Sequence, residues 1–140
     1  MSGRTRILGC DYGGRRTGVA VSDPAGSIAL PAGVVEARTA AEAARRVAAM
    51  AEEREAAEIV VGLPLTLRGE RGPQAQATEE FAELLRAEFQ GPVRWWDERL
   101  TSAASRRALE EMGGPRRRGR VDEVAATLML QSYLDSLRRE

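Results

Sequence analysis

The chain has 140 residues and a formal net charge of zero, because 21 basic residues balance 21 acidic ones, and it has no histidine. All of the basic residues are arginine and there is one cysteine. This composition excludes histidine-based catalytic triads, lysine Schiff bases, internal disulfides and zinc sites made of histidine or clustered cysteine.

The length is typical of one domain, and we expect residues 1–140 to form it. No apolar run reaches the roughly 18 residues that a membrane span needs, and the N-terminal apolar run is too short for a signal peptide. We therefore expect a cytoplasmic protein that has no membrane partner.

Three short apolar runs, separated by turn residues, predict three consecutive strands. They span Arg6–Cys10, Thr17–Ser22 and Ile28–Val35. The first two are typical of a hairpin, and Pro31 restricts the third to a sheet edge or an irregular ladder.

Helices and strands alternate after these three strands. Thr39 and Glu42 fit a capping box for a helix that ends near Glu55, and Pro73 suits the first turn of the next helix. The remaining predicted elements are strands at 58–62 and 93–98, helices at 101–112 and 121–138, and a basic loop at 116–120. Apolar spacing predicts that the last helix turns these residues inward: Val124, Ala125, Leu128, Leu134 and Leu137. Ala126 and Met129, which share a face with Asp122, are also expected in the core. The order indicates an α/β fold with a mixed sheet flanked by helices.

Acidic residues stand where apolar segments begin or end. Asp11 ends the first strand, Asp97 and Glu98 end the fifth, and Asp122 opens the last helix. Alone, each has a plain structural interpretation, since Asp11 can cap a turn, Asp97 and Glu98 can be a solvated strand end, and Asp122 can cap its helix. If they converge at one end of the sheet, their mutual repulsion requires protons or cations.

Mg²⁺ or Mn²⁺ would satisfy such a carboxylate cluster, because these ions prefer oxygen ligands. Two ions about 3.5–4 Å apart can stabilise the attacking and the leaving oxygen during phosphodiester cleavage. This chemistry needs neither histidine nor lysine, so it agrees with the composition.

Four sequence blocks, in this order, resemble the YqgF family, also called RuvX. They are 9–13 with 16–23, 60–65 with Gly69, 97–102, and 121–126 with 130–134. The resemblance covers nearly the whole chain and implies a ribonuclease-H-like fold with a five-stranded mixed sheet flanked by helices. It also implies that Asp11, Glu98 and Asp122 are catalytic ligands of a divalent metal. Because side chains alternate across a strand, only one of Asp97 and Glu98 faces the cluster comfortably, and the family pattern favours Glu98.

The resemblance further implies a metal-dependent endonuclease that acts on structured nucleic acid, in the maturation of the 5′ end of pre-16S rRNA. One alternative is a Holliday junction resolvase that acts as a dimer in DNA recombination and repair. Another is a nucleic-acid-binding protein that has lost catalysis. A nucleotide site of the actin or sugar-kinase type also opens with an Asp-x-Gly turn, but 140 residues are too few for its second domain. The sequence does not decide whether the substrate is RNA or branched DNA, or whether the protein is a monomer or a homodimer.

Arginines near the proposed acids are candidates for phosphate contacts. The candidates, with one threonine, are Arg15, Arg16, Arg99, Thr101, Arg116, Arg117, Arg118 and Arg120. Arg99 can also hold a carboxylate bidentately, and Thr101 can cap a helix. The plain interpretation of the basic run is a solvated loop. Trp95 and Trp96 should point to opposite faces of their strand.

Overall fold

The computed structural model describes residues 5–66, 68–101 and 118–138. Its centre is one five-stranded sheet in the order β3-β2-β1-β4-β5. The strands are β1 (Arg6–Tyr12), β2 (Arg16–Ser22), β3 (Ala29–Glu36), β4 (Ala56–Leu63) and β5 (Val93–Asp97). β2 runs antiparallel to both of its neighbours, whereas β1, β4 and β5 are parallel. The predicted mixed sheet is confirmed.

Within the described ranges, three helices pack on this sheet, and a short 3-10 turn follows β5. They are α1 (Ala40–Glu53), α2 (Pro73–Glu88) and α3 (Arg118–Arg138), and the turn spans Glu98–Leu100. The helix that the sequence predicts at 101–112 falls almost wholly outside the described residues. Among the described helices, none combines the length and the apolar character that a membrane crossing requires.

The sheet separates the core into two layers, and alternation along β1 decides which side chain joins which layer. Leu8, Cys10 and Tyr12 pack with α1 and α2, whereas Ile7 packs with α3. Gly9 lies on the α3 side, where a Cβ atom would come within 2.9 Å of the Cβ of Leu130. Every second residue of β1 therefore lies beneath α3.

Local signals placed several features correctly. The Thr39 hydroxyl accepts a hydrogen bond from the Glu42 amide at 3.1 Å, which confirms the N-cap of α1. Pro31 lies on β3, an edge strand, opposite Ala20 and beside a register shift. The two tryptophans divide between the layers as predicted, with Trp95 against the α1–α2 layer and Trp96 against the α3 layer.

The predicted inward face of α3 was right in part, since Ala126 and Met129 are buried as expected. Leu134 is buried, but Leu137 is 43% exposed and Val124, Ala125 and Leu128 are only partly buried. The buried residues recur at helical spacing one position further along: Ala126, Met129, Leu130, Tyr133 and Leu134. The helix is apolar on more than one side, and the close approach of Leu130 to Gly9 sets which side meets the sheet.

Several element boundaries also differ from the prediction, among them the end of β5, because Glu98 lies in the 3-10 turn that follows it. α3 begins at Arg118, so the last part of the predicted basic loop is helical. β1 continues to Tyr12, so Asp11 lies inside the strand and pairs with Gly18 of β2 instead of ending the strand. The antiparallel pairing with β2 continues past Asp11 to Tyr12, so β1 extends beyond the acidic residue.

Candidate functional site

Asp11 lies near the carboxyl end of β1, the middle strand of the sheet. Its strand neighbours are Gly18 on β2 and the end of β4. It shares the α3 side with Ile7 and Gly9, because residues two apart on a strand point the same way. The residue is only partly exposed, so this carboxylate lies at the edge of an apolar layer.

Glu98 comes to the same edge from the 3-10 turn that follows β5. Its side chain lies over β4 at Gly62, where a Cβ atom would come within 3.0 Å of both Cγ and Oε1 of Glu98. The turn is capped by Asp97, whose carboxylate accepts the Arg99 amide at 2.9 Å. Of the two adjacent acids, Asp97 therefore stabilises the turn and Glu98 reaches across the sheet.

The side chains of Asp11 and Glu98 are hydrogen-bonded to each other. Burial is the largest cause that raises the pKa of each, and the charge of Asp11 adds to it in raising the pKa of Glu98 to about 9. The bond favours the ionised form of Asp11 and the protonated form of Glu98, so Glu98 donates and Asp11 accepts. Two carboxyl groups this close resist ionising together.

Asp122 reaches the site through a close contact between α3 and β2. A Cβ atom on Gly18 would lie 1.9 Å from the carbonyl oxygen of Asp122, so only glycine lets the helix backbone come this near. The helix begins four residues earlier, at Arg118. Asp122 is therefore inside α3 and does not open it, and the N-cap interpretation was wrong.

The carboxylate of Asp122 accepts a hydrogen bond from Nε of Arg16 at 2.7 Å, and both side chains are about 30% exposed. Its charge raises the pKa of Asp11, so the two acids lie within electrostatic reach. Within the described ranges, no three histidine, cysteine, aspartate or glutamate side chains are close enough together to hold a metal ion. The structure thus joins two of the predicted acids and holds the third beside them on an arginine.

The predicted arginines fall into three groups. Arg99 is bound to Asp97 through Nε at 3.1 Å and Nη2 at 2.7 Å, and its guanidinium lies against Gly69 of the loop before α2. Arg116 and Arg117 lie outside the described residues, and Arg118 and Arg120 belong to the first turn of α3. Thr101, at the end of the turn, is buried.

Arg15 and Arg16 line a cleft of about 410 Å³, which we call the arginine cleft. Its lining residues are Arg15, Arg16, Glu36, Ala37, Arg38 and Glu42. Sequence reasoning missed Arg38, because it is separated from Arg16 by two strands and only the β2–β3 pairing brings it close. Gly18 and Gly62 were also missed, although both are glycines inside strands, which is a known sign of close backbone approach.

The sequence matches one protein family and many of its relatives over most of its length. The family model RuvX, described as Holliday junction resolvase, matches residues 5–136. A protein of Chloroflexus aurantiacus is 42% identical over 134 residues, which cover 94% of this chain and 88% of the relative. The chain belongs to the RuvX family. A Rhodococcus jostii relative is 46% identical over 144 residues, covering 98% of this chain and 81% of its own, and both relatives bear the name "Putative pre-16S rRNA nuclease".

A solved structure supports the RuvX fold. RuvC of T. thermophilus, determined in complex with a Holliday junction substrate, superposes with a TM-score of 0.64 at 15% identity, over 94% of this chain and 96% of that chain. At this identity the likeness concerns the fold alone. The expected ribonuclease-H-like fold is confirmed.

Proposed function

We propose that this RuvX protein is a single-domain, divalent-metal-dependent nuclease that hydrolyses phosphodiester bonds in structured nucleic acid, in the maturation of the 5′ end of pre-16S rRNA. The relatives' shared name supports the substrate. The observation that carries the chemistry is the contact between the carboxyl groups of Asp11 and Glu98, which come from the carboxyl end of β1 and from the turn after β5.

The oxygen donors at this edge suit a hard divalent cation. Asp11 and Glu98 are neighbours whose pKa values are raised by burial, so a doubly charged ion would relieve the cost of ionising both. Asp122 would complete the set when its ion pair with Arg16 opens. When bound, Mg²⁺ or Mn²⁺, as a pair of ions, supplies the positive charge that activates water and stabilises the leaving 3′-oxygen.

The chain's own residues would then hold and orient the site. Asp11 and Glu98 would hold the metal through their carboxylate oxygens, and Glu98 would give up its proton to do so. Arg99 is engaged on Asp97 by two of its nitrogens, so we propose that it fixes the turn beneath Glu98 in addition to any phosphate contact. Arg15 and Arg16 line an open cleft next to Asp122 and are better placed to hold a phosphate.

The remaining predicted contacts complete this surface. We propose that Thr101 stabilises the end of the turn, because it is buried and its amide donates to the Glu98 carbonyl oxygen. Arg116, Arg117, Arg118 and Arg120 precede Asp122 in the chain, and we propose that they add phosphate contacts there. The partner is nucleic acid and the site of action is the cytoplasm.

A second function is favoured by one specific observation, the family's own description as a Holliday junction resolvase. A resolvase makes paired, symmetric cuts in a four-way junction, which calls for two active sites and hence a homodimer. The nuclease that trims rRNA needs only one site and acts as a monomer equally well. Stoichiometry on the substrate therefore separates the two functions.

A direct experiment compares both substrates side by side. The purified protein is incubated with a 16S rRNA precursor that carries its 5′ leader and with a four-way DNA junction, each with Mg²⁺, with Mn²⁺ or with EDTA. We expect metal-dependent cleavage that maps to the mature 5′ end of the rRNA. Symmetric cuts in the junction alone would favour the resolvase, and binding without cleavage of either substrate would refute a nuclease function.

A further inference from the structure

We infer that the arginine cleft binds a phosphate group of the nucleic-acid strand that the acids act on. This inference deepens the proposed function and rests on it. The cleft lies beside Asp122, and it includes Arg38, a residue that neither the sequence motifs nor the family blocks single out.

Two distant segments build the cleft. The turn between β1 and β2, with Gly14 at φ +82°, places Arg15 and Arg16 at the start of β2. The Ala37 amide donates to the Arg15 carbonyl oxygen at 3.0 Å, so the segment that joins β3 to α1 runs alongside. Arg38 follows directly, so three arginines from two segments line one concave space.

The charge balance of the lining favours an anion. Three arginines and two glutamates, Glu36 and Glu42, line the cleft; Arg16 is also paired with Asp122 beside it, so the positive charge that faces an anion comes from Arg15 and Arg38. Glu42 is occupied in the capping of α1, because its carboxylate accepts the Arg38 amide at 3.1 Å. The N-terminal end of α1 adds partial positive charge at the same place. A volume of about 410 Å³ is in the range of ligand-sized pockets.

Arg16 ties this cleft to the acids. The same side chain lines the cleft and donates to Asp122 at 2.7 Å. A strand that lies over Asp11 and continues across Arg16 therefore brings a neighbouring phosphate to Arg15 and Arg38. Arginine suits this task, because its planar fork binds phosphate oxygens in pairs.

The test measures binding separately from cleavage. Fluorescence anisotropy in EDTA follows the wild-type protein, Arg38→Ala and Arg45→Ala on a labelled single-stranded RNA and on a four-way DNA junction, between about 50 and 200 mM salt. Arg38 is exposed and only its backbone joins the α1 cap, so the substitution should leave the fold intact. Arg45 is an exposed arginine of α1 outside the cleft and serves as the matched control.

We expect Arg38→Ala to weaken binding about tenfold. A plot of log affinity against log salt concentration should be less steep for Arg38→Ala than for wild type. The slopes should differ by about one on the duplex arms of the junction and by about 0.7 on the single-stranded RNA. Arg45→Ala should match wild type. Equal slopes for Arg38→Ala and wild type, or no binding by wild type, would overturn the inference.

Two further outcomes keep the inference distinct from the proposed function. If wild type binds through Arg38 but never cleaves with metal, the cleft stands and the nuclease proposal fails. Inorganic phosphate at matched ionic strength tests the other source of the same chemistry. The inference is wrong if phosphate raises the melting temperature of wild type but not of Arg38→Ala, while both proteins bind nucleic acid equally well. In that case the cleft holds free phosphate.

Discussion

Replacement of Asp11 by Asn should make the stability of the protein less sensitive to pH. In the folded protein, burial and then the Asp11 charge raise the pKa of Glu98 from 4.5 to about 9. The folded state therefore keeps a proton that the unfolded state has lost. The contribution of Glu98 to stability is therefore fully present below pH 4.5 and is lost as the pH rises toward 9, by about 1.4 kcal/mol for each pH unit.

The wild-type protein should thus lose about 4 kcal/mol of unfolding free energy between pH 5 and pH 8 through Glu98 alone. This is a large share of the about 5–15 kcal/mol of a typical domain. Asp11, whose pKa burial also raises, adds to the loss in the same direction.

In Asp11→Asn the burial of Glu98 remains, but the neighbouring charge is gone. The pKa of Glu98 should then lie below 9 and above 4.5, and the fall in stability should end at a lower pH. Above that pH the variant gains about 1.4 kcal/mol on wild type for each unit by which this pKa has dropped.

Urea unfolding in EDTA from pH 5 to pH 9.5 measures this effect, because groups that titrate alike in both proteins cancel in the difference. Glu53→Gln, which removes an exposed carboxylate at the end of α1, is the control and should run parallel to wild type. If the free energy of unfolding varies with pH in the same way for Asp11→Asn and wild type, the charge of Asp11 does not raise the pKa of Glu98.

Three further predictions follow from the contacts around the acids. Gly18→Ala places a Cβ atom 1.9 Å from the Asp122 carbonyl oxygen and should cost about 1–3 kcal/mol or more in urea unfolding, so a change under about 0.5 kcal/mol would contradict the close approach. Arg16→Gln releases Asp122 and should tighten Mn²⁺ binding severalfold in calorimetry without nucleic acid, whereas weaker binding would mean that Arg16 helps to assemble the site. Arg99→Ala should lower the cleavage rate while Arg99→Lys restores only part of it, because lysine cannot reproduce the two bonds to Asp97; full rescue by lysine would argue against this geometry.

Local sequence signals predicted the positions of the strands well, because turn residues and helix caps separate them. The Pro31 edge strand and the Thr39 cap depend on one residue's backbone chemistry and can be read without a structure. The inward face of α3 could be read only in part this way. Several faces of that helix are apolar, and contact with the glycines of β1 and β2 decides among them.

The candidate site shows the same division. Acid positions stood out in the sequence because carboxylates rarely border apolar runs, and the family blocks singled out Asp11, Glu98 and Asp122. The ion pair between Arg16 and Asp122 joins residues 106 positions apart and follows from the packing of α3 on Gly18. Arg38 joins its cleft through strand pairing in the same way. Such contacts arise from tertiary packing, which no local pattern reports.

The central claim is that the carboxylates of Asp11 and Glu98 hold the catalytic metal. Single-turnover cleavage of a 16S rRNA precursor with Mn²⁺ tests it most directly when Asp11→Asn is compared with wild type at saturating protein. We expect Asp11→Asn to bind the RNA with unchanged affinity in EDTA, to remain folded and to cleave no longer. Cleavage by Asp11→Asn at the wild-type rate would contradict it.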